Sequence, residues 1–146
     1  MIASVIASIC IEASPADSFH YLQELRYHLL WNPHLQSISS DQRLVLGKTY
    51  STTSLLLGVK VRGKNIVTNL LKNTEIEFEN RTGALHYVVN YKLQPDGEKT
   101  LVMCTTTVSS DAKAFGFTKP VLGLLAKREL RADLEALKIA VEQQLG

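Results

Sequence analysis

The sequence predicts an α+β fold in which helices cover one face of an antiparallel sheet. Three observations predict it: apolar and polar residues alternate with period two between Leu35 and Ser109, an apolar stripe at helical spacing runs through Lys119 to Leu145, and one strand and one helical segment precede both. With 146 residues, 45% of them hydrophobic and 21% charged, the chain is of a size for one domain spanning residues 1–146 and one core. Sixteen Lys and Arg against fourteen Asp and Glu leave a net charge of +2, without the clustered basic excess that nucleic acid or an anionic membrane calls for.

The elements follow in chain order. Val5 to Glu12 is a β-branched run that reads as a strand and ends at Ala13-Ser14-Pro15-Ala16-Asp17. Ser14 suits an N-cap, Pro15 the first helical position and Asp17 the first turn, where the helix dipole favours a carboxylate. From there Phe19, Leu22, Leu25 or Arg26, and Leu29 recur at helical spacing, so one amphipathic segment is expected to about Leu30, before Trp31-Asn32-Pro33 breaks it.

Six strands follow, Leu35 to Arg43, Lys48 to Leu57, Lys60 to Leu71, Glu75 to Asn80, Ala84 to Gln94 and Lys99 to Ser109, punctuated by Gly, Asn and Asp. The clearest is Ala84 to Gln94. Leu85, Tyr87, Val89, Tyr91 and Leu93 share one face and His86, Asn90, Lys92 and Gln94 the other, the signature of a sheet with one buried and one wet side. Ile76 and Phe78 between Glu75, Glu77 and Glu79 repeat the pattern, and Pro95-Asp96-Gly97 predicts a tight turn that joins the last two strands. Lys119 to Leu145 reads as one long helix whose stripe is Ala126, Leu130, Leu134, Leu137 and Val141. Val121, Leu122, Leu124 and Leu125 wrap most of its first turns, so that end is either buried on several sides or covers something apolar.

A helix of about 27 residues spans ~40 Å and an eleven-residue strand ~36 Å, so the helix can lie along the full length of a curved sheet. Ser51 to Ser54 and Thr105 to Thr107 place short polar side chains on the concave side whichever parity faces inward, and only ten aromatic residues compensate. A mostly apolar cavity with a few hydroxyls is expected between sheet and helix, of the kind that takes a small molecule.

The strand running into Ala13-Ser14-Pro15-Ala16-Asp17, the Trp31-Asn32-Pro33-His34 break, the Gly47-Lys48-Thr49-Tyr50 strand start, the Leu93-Gln94-Pro95-Asp96-Gly97 turn and the long final helix together resemble the START-related SRPBCC superfamily. That superfamily includes polyketide cyclase-like and pollen-allergen-like helix-grip proteins. The resemblance covers nearly the whole chain. It implies a helix-grip fold, a curved seven-stranded antiparallel sheet wrapped around a long C-terminal helix with two short helices after the first strand, and a central pocket for lipids, polyketides, sterols or other apolar compounds. It implies no single activity.

The candidate ligand-binding residues are Trp31, Phe78, Tyr87, Tyr91, Leu122 and Leu125. Trp31 belongs to the Trp31-Asn32-Pro33 break, whose aromatic ring the resemblance places beside the pocket mouth. Phe78, Tyr87 and Tyr91 fall on inward faces, where a buried tyrosine hydroxyl needs a partner, and Leu122 and Leu125 come from the apolar start of the last helix. No inward Asp or Glu emerges from the alternation, because Glu75, Glu77 and Glu79 fall on the wet side, and acid–base chemistry would need such a group. Binding or transport of a small hydrophobic or aromatic ligand without turnover is therefore the expected function. The alternative is a polyketide cyclase or dehydratase-like enzyme, in which Tyr87 or Tyr91 positions a polyketone.

His20, Glu24 and His28 recur every fourth residue, but His20 and His28 stand ~12 Å apart on an unbroken helix, too far to share an ion. They read as a solvated face, and neither a metal nor a cofactor is expected. Lys127, Arg128 and Arg131, interspersed with Glu129 and Asp133, also read as a solvated face. Met1 to Pro15 is apolar, yet no Lys or Arg precedes Arg26 and Glu12 interrupts the run, so a secretory signal is not expected. No stretch suits a transmembrane span. Two cysteines, Cys10 and Cys104, read as free buried thiols of a cytoplasmic protein. Outward parity of the last strand would offer Leu101 and Met103 to a second copy in a homodimer.

Overall fold

The computed structural model describes residues 2–40, 42–56, 59–82, 85–110 and 119–145; for residues 2, 56, 59, 82, 85, 110, 119–122, 144 and 145 it describes the backbone alone. The elements are β1 (Ile2–Ile11), α1 (Pro15–Gln23), a 3-10 turn (Leu25–Tyr27), α2 (His28–Trp31), β2 (Leu35–Ile38), β3 (Thr49–Leu56), β4 (Val59–Leu71), β5 (Glu75–Thr82), β6 (Leu85–Asp96), β7 (Lys99–Ser110) and α3 (Lys119–Leu145). One seven-stranded sheet has the order β1-β7-β6-β5-β4-β3-β2, each neighbouring pair antiparallel. The fold is the helix grip, with α3 held against the inner face of the sheet.

α1 begins as its sequence dictates. Ser14 Oγ accepts the Asp17 amide at 3.1 Å and donates to the Asp17 carboxylate at 3.0 Å, and Pro15 takes the first turn. The single amphipathic segment to Leu30 is not formed. Glu24 is extended (φ −90°, ψ 111°), and the helix ends there because a distant segment docks on it. Arg43 pairs with Glu24 as an isolated bridge, its guanidinium 2.7 Å from the Glu24 carboxylate, and the Leu44 amide donates to the Gln23 carbonyl at 2.8 Å. Leu44 is thereby fully buried. The same docking shortens β2, which leaves the sheet after Ile38 instead of running to Arg43.

At β6–β7 the tight turn is one step later than the sequence suggests. Pro95 lies within β6 opposite Thr100, Asp96 pairs with Lys99, and Gly97 supplies the left-handed residue (φ 64°) of a two-residue loop. Cys10 pairs with Leu101 and Cys104 with Ala7, so the two thiols are out of register and both are free; Cys104 is buried, Cys10 only partly. Leu101 and Met103 lie on the outer face of β7, opposite in parity to buried Val102 and Cys104.

The core is packed at one end. Ile11, Phe19, Leu22, Leu25, Leu44, Val67, Ile76, Val102, Leu134, Leu137 and Val141 are essentially inaccessible, so the C-terminal half of α3 is sealed against the sheet. The apolar opening of α3 is not buried all round, since Leu124 is 72% exposed. Edge strand β1 is covered by lysines from α3: Lys127 donates to the Ile6 carbonyl at 2.8 Å and Lys138 to the Cys10 carbonyl at 2.9 Å. Lys127 is thus an edge cap and not part of a free basic face. Among the described residues no helix is long and apolar enough to cross a membrane.

Candidate functional site

Where the packed end stops, a cavity of about 130 Å³ opens between the sheet and the first half of α3. Its walls come from α2 and the segment after it (His28, Trp31, His34), from β3 (Tyr50, Thr52, Ser54), from β5 and β6 (Phe78, Tyr87, Val89, Tyr91), from β7 (Thr106, Val108) and from α3 (Ala126, Glu129, Leu130, Asp133). Parity that the sequence left open is settled by pairing. Tyr50 faces Asn65 and Thr52 faces Gly63, which turns Tyr50, Thr52 and Ser54 inward and Ser51 and Thr53 outward.

The aromatic wall is fixed by the way α1 ends. A helix leaves its last four carbonyls without intrahelical partners, and here each has one. Trp31 Nε1 serves Tyr21 at 2.8 Å, His28 Nε2 serves Leu22 at 2.7 Å, the Leu44 amide serves Gln23 at 2.8 Å and the Tyr27 amide serves the cap residue Glu24 at 3.0 Å. Because a carbonyl only accepts, His28 must carry its proton on Nε2. Burial of the whole ring lowers the His28 pKa to about 4. His28 and Trp31 then present their rings to the cavity, with Phe78 edge-on to His28 at 5.7 Å and Tyr91 edge-on to Trp31 at 5.8 Å. His28 and Glu24 are therefore buried, contrary to the solvated face read for His20, Glu24 and His28; the break at Glu24 also removes the helical spacing on which that reading stood.

A polar ladder crosses the floor. Asn80 Nδ2 donates to Asn65 Oδ1 at 2.6 Å and Asn65 Nδ2 to Thr52 Oγ at 3.0 Å, all three buried, while Asn80 stands opposite Tyr87 across β5 and β6. The Tyr50, Tyr87 and Tyr91 hydroxyls are all pushed up from the ordinary tyrosine value by burial, so they remain protonated donors. Cys104, hydrogen-bonded with Tyr91, is also pushed up by burial and stays a thiol.

The structure corrects the expectation that no carboxyl faces inward. Asp133 and Glu129 both line the cavity from α3. At 100° per residue Asp133 stands only about 60° around the helix from Leu130, inside the breadth of an apolar stripe. That angle was the signal available in the sequence; the neighbouring Arg131 and Glu129 concealed it. Asp133 Oδ1 and His34 Nε2 are 3.6 Å apart, too far for a direct hydrogen bond, and both atoms are buried without another partner among the described residues. Burial, then the nearby Glu129, holds the Asp133 pKa well above the usual carboxylate range.

Of the residues singled out in the sequence, Trp31, Phe78, Tyr87 and Tyr91 come together on the cavity wall. Leu125 is half-buried on α3 and is not among the lining residues, and the side chain of Leu122 lies outside the described residues. His28, His34, Tyr50, Asn65, Glu129 and Asp133 are among the lining groups that the sequence did not put forward as ligand contacts.

A family profile described as "Polyketide cyclase / dehydrase and lipid transport" matches residues 3–142. Solved structures that share the fold include a START superfamily protein from Mycobacterium smegmatis (TM-score 0.81, 16% identity, 97% of this chain and 98% of that one). A protein from Thermus thermophilus has TM-score 0.84 and 18% identity over 98% and 99% of the two chains. An aromatase/cyclase from a Streptomyces species has TM-score 0.81 and 15% identity over 100% and 97%. No curated protein matches the chain.

Proposed function

Since the chain belongs to the polyketide cyclase/dehydrase and lipid transport family of the START-related superfamily, we propose that it binds one small, largely apolar ring compound between the sheet and α3. One observation carries this reading: the core is packed at one end and open at the other, where aromatic rings surround about 130 Å³ of space. An apolar cavity of ~150 Å³ is enough to take up benzene, so the occupant is of the order of one ring and its substituents. The polar ladder and the tyrosine hydroxyls give that ring fixed points of orientation. The two free thiols support a reducing compartment, the cytoplasm, as its place of work.

Trp31 is the only tryptophan and lines the cavity, so its emission reports occupancy. Titration with toluene should shift or quench it with a saturable curve, and native mass spectrometry should show one toluene per chain. A linear, non-saturating response in wild-type protein would overturn the reading.

The second reading, cyclase or dehydratase-like turnover, is favoured by the inward Asp133 and His34, which supply an acid and a base beside the positioning hydroxyls of Tyr87 and Tyr91. It predicts that a linear polyketone is cyclised faster by wild type than by the Tyr87→Phe, Tyr91→Phe double variant or by Asp133→Asn. Equal rates would remove it.

A further inference from the structure

Beside this cavity two buried polar atoms, His34 Nε2 and Asp133 Oδ1, have no hydrogen-bond partner among the described residues, and they face each other at 3.6 Å. Their side chains keep only 22% and 17% of their surface. An unpartnered polar atom in an apolar cavity is costly, and two of them converging on one spot define a place for a third group. Neither atom is open to the cavity as the side chains stand, but at 3.6 Å apart a small turn of both toward it lets one oxygen stand about 2.7–2.9 Å from each, within ordinary hydrogen-bond range. Among the described residues no Lys or Arg lines the cavity, and Glu129 lies on the same helix face.

We propose that the ligand is an uncharged ring compound carrying a hydroxyl, a phenol or ring alcohol, whose oxygen bridges His34 Nε2 and Asp133 Oδ1. The inference rests on the reading that the cavity binds a single ring. A hydroxyl is the group that fits, because it donates through its hydrogen and accepts through its lone pairs. It therefore satisfies the pair whichever of the two atoms holds a proton. A carboxylate only accepts, and it would bring negative charge toward Glu129 with no lysine or arginine among the described lining residues to receive it. An ammonium only donates, and it needs Asp133 ionised where burial and Glu129 favour the protonated acid. The surroundings agree: Tyr50, Tyr87 and Tyr91, the titratable groups that line this space from β3 and β6, all stay neutral.

The test is calorimetric titration of the full chain at neutral pH with four probes of one shape: toluene, p-cresol, p-toluate and 4-methylbenzylamine. p-Cresol should bind about tenfold or more tightly than toluene, since toluene leaves both polar atoms unpaired, and p-toluate should be the weakest. In Asp133→Leu the ratio of p-cresol to toluene affinity, the quantity that cancels any change in cavity shape, should fall to about twofold or less. His34→Leu should have the same effect, so the result does not depend on one variant folding. Equal affinity of p-cresol and toluene in wild type would overturn this proposal and leave the single-ring reading standing. No binding of any probe would overturn that reading as well. Preference for p-toluate or for the amine would replace the hydroxyl by an anion or a cation.

Discussion

Trp31 closes the end of α1 by donating its indole N–H to the Tyr21 carbonyl at 2.8 Å. The bond joins the two short helices that follow β1, where periodicity alone reads one segment, and it fixes the ring that forms the cavity wall. Trp31→Phe keeps an aromatic ring of nearly the same placement and leaves a buried carbonyl unpaired. It should cost about 1–3 kcal/mol, read by urea denaturation followed by far-UV circular dichroism. A loss below about 0.3 kcal/mol would show that the bond does not hold the break.

His28 makes the neighbouring bond, to Leu22, and should give the fold an acid limit. Its pKa falls from about 6.5 in the unfolded chain to about 4 in the folded one. Between those values the unfolded state takes up the proton and the folded state does not, so stability is present above about pH 6.5 and is lost as pH falls toward 4. The span corresponds to about 3 kcal/mol for this one group. His28→Gln, whose side-chain amide can still donate, should be flatter than wild type over pH 4–6.5 in urea midpoints. Parallel pH profiles would contradict the assignment.

What the sequence revealed and concealed has a physical pattern. Period-two alternation in β6 and the 4, 4, 3, 4 spacing of the α3 stripe are local signals, and both elements stand where that spacing puts them. The break at Glu24 is not local: it depends on Arg43 and Leu44, about twenty residues away, taking the backbone positions that the next helical turn would have used. Ser51 to Ser54 places small polar residues on both faces, so only pairing of Tyr50 with Asn65 decides which hydroxyls face the cavity. Asp133 was hidden by its chemistry, since a carboxylate among other charges reads as surface even at the edge of an apolar stripe.

Asp133 itself should destabilise the empty protein at neutral pH. Its folded pKa is raised, so above the unfolded value near 4 the unfolded carboxyl ionises freely while the folded one is held back. Stability therefore falls as pH rises above about 4, the opposite sense to His28. Asp133→Asn cannot ionise and should be more stable than wild type by about 1–3 kcal/mol at pH 7, with the gap closing toward pH 4. Thermal melts at the two pH values check it. A gap that widens on acidification would mean that the carboxylate is stabilised by a partner.

The division of the core into a packed and an open end predicts opposite outcomes for enlarging and shrinking side chains along α3. Leu137, fully buried at the packed end, should cost about 2–5 kcal/mol when changed to Ala. Ala126, also buried but on the cavity wall, has room beyond it. Ala126→Leu should place about three more carbons in that space, where each buried methylene adds roughly 0.8 kcal/mol. The variant should thus be as stable as wild type or more so, up to about 2 kcal/mol, while its toluene affinity drops about tenfold or more. Loss of stability together with unchanged toluene binding would mean that the space beside Ala126 is not the space the ligand occupies. If stability rises and binding falls in step, the open end of the core is kept for a ligand at the expense of the fold.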